Sequence, residues 1–252
     1  MTPERVGREA YLAVYGRLLG GGGAVLRLDE APGSPMVNRL VGLGEESAAT
    51  EVLLDEGIAA LDGTTFYVAR SPAAEPPELE GWLRARGLGP GWGWMQFTRP
   101  GSEPPPETRG SVRIATVADD ASARAFGSIV RRGYGLPEAA EPFLAGAARA
   151  DGWTAFLALD GDVPAGAAAV WVGDGAAYLG FAATLPEHRG KGAQATLLAA
   201  RLDLARARGC EVVVTETGER RDDLPSNSYR NILRAGFREE HVVENWIRPN
   251  PT

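Results

Sequence analysis

The sequence predicts an α/β fold of the α+β kind, a mixed, mostly antiparallel sheet flanked by helices, present as two tandem copies. Three observations predict it. The C-terminal half alternates strand-like runs with helical segments, a proline-rich stretch divides the 252-residue chain, and both halves end on one helix–glycine–strand pattern. With 44% apolar and 23% charged residues, such a chain suits two ordinary globular domains.

In the first half, Gly20 to Gly23 precede the apolar run from Ala24 to Leu28 and read as a flexible strand entry. The segment from Pro100 to Gly110 holds four prolines with glycine and charge, which neither a helix nor a sheet ladder accommodates. The expected division is therefore a first domain over 1–100, a linker over 101–110 and a second domain over 111–252. In the second domain, 112–116 alternates like a strand, and Asp119 or Asp120 caps a helix over 121–132. A second helix is expected over 139–150. Strands follow over 153–159 and 165–172, joined by an Asp-Gly-Asp-Val-Pro turn, and a third runs over 176–184. A helix over 193–208 carries Leu197, Leu198 and Leu202 on its apolar side. The chain then reads as a strand over 211–217, a helix over 226–235 stopped by Gly236, and a strand over 240–247.

The first half repeats that ending. Leu83-Arg-Ala-Arg-Gly87-Leu88 matches Leu233-Arg-Ala-Gly236-Phe237, and in both copies an Arg-Pro pair closes a tryptophan-containing strand 12 residues after the glycine. The equal spacing favours internal duplication over chance.

A net charge of −7 provides no overall basic field, so neither nucleic acid nor an anionic membrane is an expected partner. Only one of the 26 basic residues is a lysine, Lys191. One cysteine, Cys210, excludes an intramolecular disulfide, and with two histidines, His188 and His241, a Cys/His zinc cage is out of reach, so no metal is expected. No secretory signal or stretch of about 18 apolar residues is evident, and a cytoplasmic location is expected.

The chemistry concentrates in Thr184-Leu-Pro-Glu-His-Arg-Gly190-Lys-Gly192-Ala193-Gln194, between a strand and a helix. Gly190 and Gly192 permit tight backbone turns and close ligand approach, and the helix start offers free N–H groups beside Arg189 and Lys191. That combination suits a pyrophosphate. A Walker loop requires Ser or Thr after its lysine, whereas Gly192 follows Lys191.

These residues resemble the coenzyme A loop of the GNAT N-acetyltransferase superfamily, R/Q-x-x-G-x-G/A, preceded by a V-x-P-x-x-R strand exit. Arg189, Lys191 and Gly192 match; Thr184 stands where valine is usual, and Gln194 replaces the second small residue. The resemblance covers about residues 112 to 249, and it implies acetyl-CoA as co-substrate and a small-molecule or protein amine as acceptor. It further implies that backbone groups of Ala182, Ala183 and Thr184 pair with pantetheine as an added strand would, beside the cradle of Arg189, Gly190, Lys191, Gly192, Ala193 and Gln194.

The family's tyrosine acid and its preceding asparagine fall at Ile232 and Pro225, so both landmarks are absent. Tyr229, three residues earlier on the same helix, is a candidate acid, with packing against the sheet as the competing reading. Glu216 is the candidate base if its strand turns that face to the cleft, with simple exposure as its alternative. Asn227 and Ser228 either cap their helix or bond pantetheine. Tyr134 is a candidate substrate contact; Trp92, Trp94, Asn38 and Arg39 are candidates to wall the acceptor site, with core packing the more economical reading for the two tryptophans. The expected activity is N-acetyl transfer, with the first domain shaping the acceptor pocket or a homo-oligomer interface. A non-catalytic acyl-CoA sensor is the competing reading.

Overall fold

The computed structural model describes residues 1–108, 110–220 and 227–248 of the 252-residue chain. In chain order its elements are α1 (Pro3–Leu12), β1 (Gly16–Leu18), β2 (Ala24–Leu26), β3 (Arg39–Val41), α2 (Glu51–Ala60), β4 (Tyr67–Arg70), α3 (Leu79–Ala85) and β5 (Gly89–Pro100). There follow β6 (Arg113–Thr116), α4 (Asp120–Tyr134), α5 (Glu141–Ala147), β7 (Trp153–Asp160), β8 (Val163–Gly173), β9 (Ala176–Thr184), α6 (Ala193–Ala207), β10 (Val212–Gly218), α7 (Asn227–Arg234) and β11 (Arg238–Ile247). The mixed, mostly antiparallel α/β architecture read from the sequence is the one observed. The helix expected over 139–150 is shorter: a 3-10 turn over Glu138–Ala140 leads into α5, whose first turn holds Pro142. Pro225, Ser226 and Pro249 lie outside the described residues. Among the described residues no helix is long and apolar enough to cross a membrane.

The chain forms two compact units. Unit 1 holds residues 1–96 and, of the described residues, 217–220 and 240–248; unit 2 holds 97–216 and 227–239. The cut falls inside β5 rather than in the proline-rich stretch, and most of β11 counts with unit 1 rather than with the segment 111–252.

In unit 1 the strands run in the order β1-β2-β3-β4-β11-β5, with β1–β2, β2–β3 and β4–β11 antiparallel and β3–β4 parallel. Leu40, Leu54, Leu61, Val68, Leu83 and Trp246 are among the residues of its apolar core. Thr50 starts α2 by accepting from the Leu53 N–H, one of the donors a helix start leaves open. Asn38 is consumed structurally: its amide oxygen accepts from Leu28 N and its nitrogen donates to the Ala31 and Ser34 carbonyls. Trp92 and Trp94 meet edge to face at 4.6 Å, Trp94 Nε1 donates to the Tyr67 hydroxyl, and Arg39 lies over Tyr11. For the two tryptophans the packing reading matches what unit 1 contains.

In unit 2 the order is β10-β9-β8-β7-β6, with the end of β5 beside β10. All pairs from β6 to β9 are antiparallel, and β9 and β10 run parallel. Asp119 and Ser122 form a reciprocal capping box at the start of α4, and Gly135 in the left-handed region closes it. The repeated ending is a repeated local structure. Gly87 (φ 73°) is followed by a Leu88 N–H on the Leu83 carbonyl, and Gly236 (φ 84°) by a Phe237 N–H on the Ile232 carbonyl.

One irregularity in unit 2 shapes everything around the loop. On β8, Ala167 pairs with Ala183 and Ala169 with Gly180, so β9 spends three steps where β8 spends two. The extra residue is a β-bulge, with Phe181 at a φ of 49°. The pairing of β9 with β10 ends at Leu179↔Thr215, where the Thr215 hydroxyl donates to the Leu179 carbonyl. Residues 180–184 continue β9 without a β10 partner in that register. Phe181 is held there by aromatic neighbours, 5.1 Å from Trp153 and 6.5 Å from Phe126 between ring centroids.

The proline-rich stretch is tied to unit 2 at both ends. Gly101 N–H donates to the Glu211 carbonyl, Ser111 N–H to the Lys191 carbonyl, and the Arg99 guanidinium to the Pro104 carbonyl. Proline without an amide donor still lets a chain lie in a groove, so its composition marked an extended path, not a free one. A Cβ on Gly101 would sit 1.9 Å from the Cys210 carbonyl oxygen, while one on Gly146 would meet nothing within 4 Å. Gly101→Ala is expected to lower stability by about 3 kcal/mol and the melting temperature by about 6–12 °C. Gly146→Ala, in α5, should leave both unchanged or slightly raised; calorimetric melting of the two variants checks the contrast.

Candidate functional site

A cleft of about 840 Å³ lies in unit 2 where β9 leaves β10. One wall is the end of β9, Ala182, Ala183 and Thr184; the mouth is His188, Arg189 and Gly190; the start of α6 contributes Gly192, Ala193, Gln194 and Ala195. Asn227, Ser228, Asn231 and Arg234 of α7 face it, and Gly133, Ala167, Leu197 and Arg201 complete the lining. The predicted residues Ala182, Ala183, Thr184, Arg189, Gly190, Gly192, Ala193, Gln194, Asn227 and Ser228 are thus brought together.

The loop takes its shape from two glycines in the left-handed region, Gly190 at φ 83° and Gly192 at φ 81°. The second is also confined: a Cβ there would come within 2.6 Å of Gly110 Cα, so two glycines are needed for the strap and the loop to meet. From Gly192, α6 starts with no capping side chain and no acidic residue in its first turn, unlike α1, α2 and α4. Its first N–H groups lack intrahelical acceptors and the helix dipole leaves that end positive, so an anion fits there. Arg189 is exposed at the mouth and makes no ion pair with a described residue.

Lys191 sits differently from the expectation of a phosphate contact. Its ammonium pairs with Asp160 at the end of β7, the same carboxylate oxygen lies 2.8 Å from His188 Nδ1, and Lys191 is not part of the lining. A fixed carboxylate at the loop's back is the nearer counter-ion. Hydrogen bonds from Lys191 and His188 hold the Asp160 carboxyl below the usual carboxylate range. The loop is anchored from a third side by Arg132 on Glu187, 2.8 Å apart.

The two candidate catalytic residues lie off the lining. Tyr229 is buried, its ring 5.0 Å from Phe97 and its hydroxyl donated to Glu239, so its polar end is engaged away from the cleft. Glu216, half-buried on β10, follows Thr215 at the point where β9 and β10 part. Ile232, at the position of the family's tyrosine, is buried.

Sequence reasoning missed Asn231 and Arg201. Asn231 Nδ2 donates to Gln194 Oε1 at 2.7 Å, so the glutamine that departs from the motif is bonded across the cleft to α7. Arg201 lies between Leu197 and Ala205 at helical i, i+4 spacing, with both neighbours buried. A charge inside an apolar stripe was the signal available.

Comparison with known proteins follows the same outline. The sequence profile of the Acetyltransferase (GNAT) family matches residues 123–225. No curated protein sequence matches the chain. Among solved structures, a GCN5-related N-acetyltransferase from Kribbella flavida is 19% identical with a TM-score of 0.67, covering 100% of this chain and 97% of its own. A GCN5-related N-acetyltransferase from Sphaerobacter thermophilus is 15% identical with a TM-score of 0.65, covering 91% and 78%. A tandem GNAT protein from the clavulanic acid biosynthesis pathway is 20% identical with a TM-score of 0.58, covering 93% and 82%. At these identities the structural likenesses speak to the fold. Residues 123–225 of the chain thus match the model of the Acetyltransferase (GNAT) family.

Proposed function

We propose that the protein is an acetyl-CoA-dependent N-acetyltransferase that holds one coenzyme per chain in the unit 2 cleft and acetylates a primary amine by direct attack. The acceptor is a small molecule or a protein amine. Acyl transfer from an acyl-CoA follows from the family. The observation that carries the finer reading is a β9 edge lacking a β10 partner from residue 180 to 184 that leads into an uncapped helix start.

In this reading the pyrophosphate rests on the N–H groups of Ala193, Gln194 and Ala195, with Arg189 as its cation. Backbone groups of Ala182 to Thr184 extend a strand-like ladder along the pantetheine arm, and Asn227 and Ser228 bond it from α7. Lys191 and His188 stabilise the loop through Asp160. Acetyl-CoA supplies the acetyl thioester, whose C–S bond is exchanged for a C–N bond to the amine while the amine proton passes through water to sulfur. Glu216 is the proposed base, acting through water at the fork where β9 and β10 separate; Tyr229 is assigned to packing. Orientation of amine and thioester then carries most of the rate. The absence of a tyrosine at position 232 favours a second reading, a non-catalytic acyl-CoA sensor.

Titration calorimetry with acetyl-CoA and a free-thiol assay over a panel of amines separate the two. Enzyme behaviour requires binding and thiol release dependent on an amine; a sensor binds without release. Gly192→Asp places a charge on the phosphate position and a Cβ against Gly110, and is expected to weaken acetyl-CoA binding more than 100-fold. Unchanged binding removes the proposed site. Arg189→Met should weaken binding about tenfold or more, whereas Lys191→Met should change it less than about threefold, because that ammonium is directed at Asp160. The reverse order would return the phosphate role to the lysine.

A further inference from the structure

Four arginines of the described chain are fully buried: Arg8, Arg39, Arg99 and Arg201. Three have partners for their terminal nitrogens. Arg8 meets Glu9, Glu46 and the Gly22 carbonyl, Arg39 the Tyr67 hydroxyl, and Arg99 the Pro104 carbonyl. Arg201, 4% exposed, makes a single hydrogen bond, from Nε to the carbonyl of Leu197 in its own helix at 3.2 Å. Among the described residues no carboxylate pairs with it. Burial brings its pKa down to about 10, against a smaller upward effect of Tyr134. Arg201 is one of the residues that line the cleft.

A buried cation with no counter-ion among the described residues is costly, and the stripe Leu197–Arg201–Ala205 would accept an apolar residue at no loss of packing pattern. On the coenzyme placement proposed above, the phosphates rest away from this guanidinium. The bond to Leu197 holds Nε five residues or more beyond Gly192, about 7 Å along the helix from the end where phosphates are proposed to rest. Pantetheine between the two carries no charge. What remains is an anion on the transferred acyl group or on the acceptor. A guanidinium presents a planar fork of donors that matches a carboxylate, and Gly133, Ala167 and Leu197 give the same cleft an apolar part.

We propose that Arg201 anchors a carboxylate of the substrate, so that this cleft selects an acid-bearing acyl donor or a carboxylate-bearing amine over its neutral counterpart. The inference rests on the acyl-transfer reading above and specifies its substrate class.

The test compares the wild-type chain with Arg201→Met and Arg201→Lys in two arms. The donor arm measures binding of succinyl-CoA against acetyl-CoA by calorimetry. The acceptor arm measures kcat/KM with acetyl-CoA for phenylalanine against phenethylamine and lysine against cadaverine, by thiol release. The wild type is expected to prefer the carboxylate-bearing member in one arm by tenfold or more. Arg201→Met should erase that preference, shift the acetyl-CoA Kd less than threefold and melt no lower than wild type, and Arg201→Lys should keep part of the preference. No preference in either arm, or one that survives Arg201→Met, overturns the proposal. If neither coenzyme binds the wild type, the acyl-transfer reading fails by itself; Arg201 is then read from melting with succinate or phenylalanine alone. Stabilisation of the wild type but not of Arg201→Met supports the anchor, and its absence overturns it.

Discussion

The site depends on one extra residue in a strand. With Phe181 in the left-handed region, β9 takes three steps against two of β8 and turns away from β10 after Leu179. A non-glycine residue at positive φ costs about 1–3 kcal/mol, and the ring of Phe181, buried beside Phe126 and Trp153, offsets it with packing. The parallel register ends at Leu179↔Thr215, one residue before the bulge, so the backbone groups of residues 180–184 are not spent on β10 in that register. A local strain, held in place by an aromatic cluster, thus converts a sheet into a binding edge.

The second requirement is a loop that stays open at the helix end. Gly192 at φ 81° against Gly110, the Ser111 N–H on the Lys191 carbonyl, Asp160 between His188 and Lys191, and Arg132 on Glu187 approach the loop from different directions. Each contact is modest, and the ion pairs are exposed enough that their net worth is small. Together they fix the backbone rather than stabilise the fold, leaving the first turn of α6 free of any internal cap. The proline-rich strap is therefore part of the site's support.

Much of this was legible in the sequence because it is written in short-range chemistry. The glycine pair, the strand before it and the helix after it lie within a dozen residues, and their conformations follow from residue type. The repeated Leu-Arg-Ala ending likewise became a repeated glycine-closed helix terminus. What stayed hidden depends on contacts distant in the chain. No local signal assigns Phe181 to a bulge, since the cause is packing against α4 and β7. Tyr229 donates to Glu239 and Lys191 pairs with Asp160, partners that no local pattern announces. Nor did proline content reveal that the strap is pinned at Gly101 and Ser111. Arg201 was visible as a charge in an apolar stripe, but only its position in the fold gives that charge a cleft to face.

The most direct measurement of the central claim is the backbone amide spectrum of the labelled protein during titration with coenzyme A. The account predicts that the largest shifts fall on the amides of Gly190 to Thr196 and on residues 180–184, with slowed hydrogen exchange at the start of α6. Shifts confined to unit 1, or none at those amides at saturating coenzyme, would contradict it.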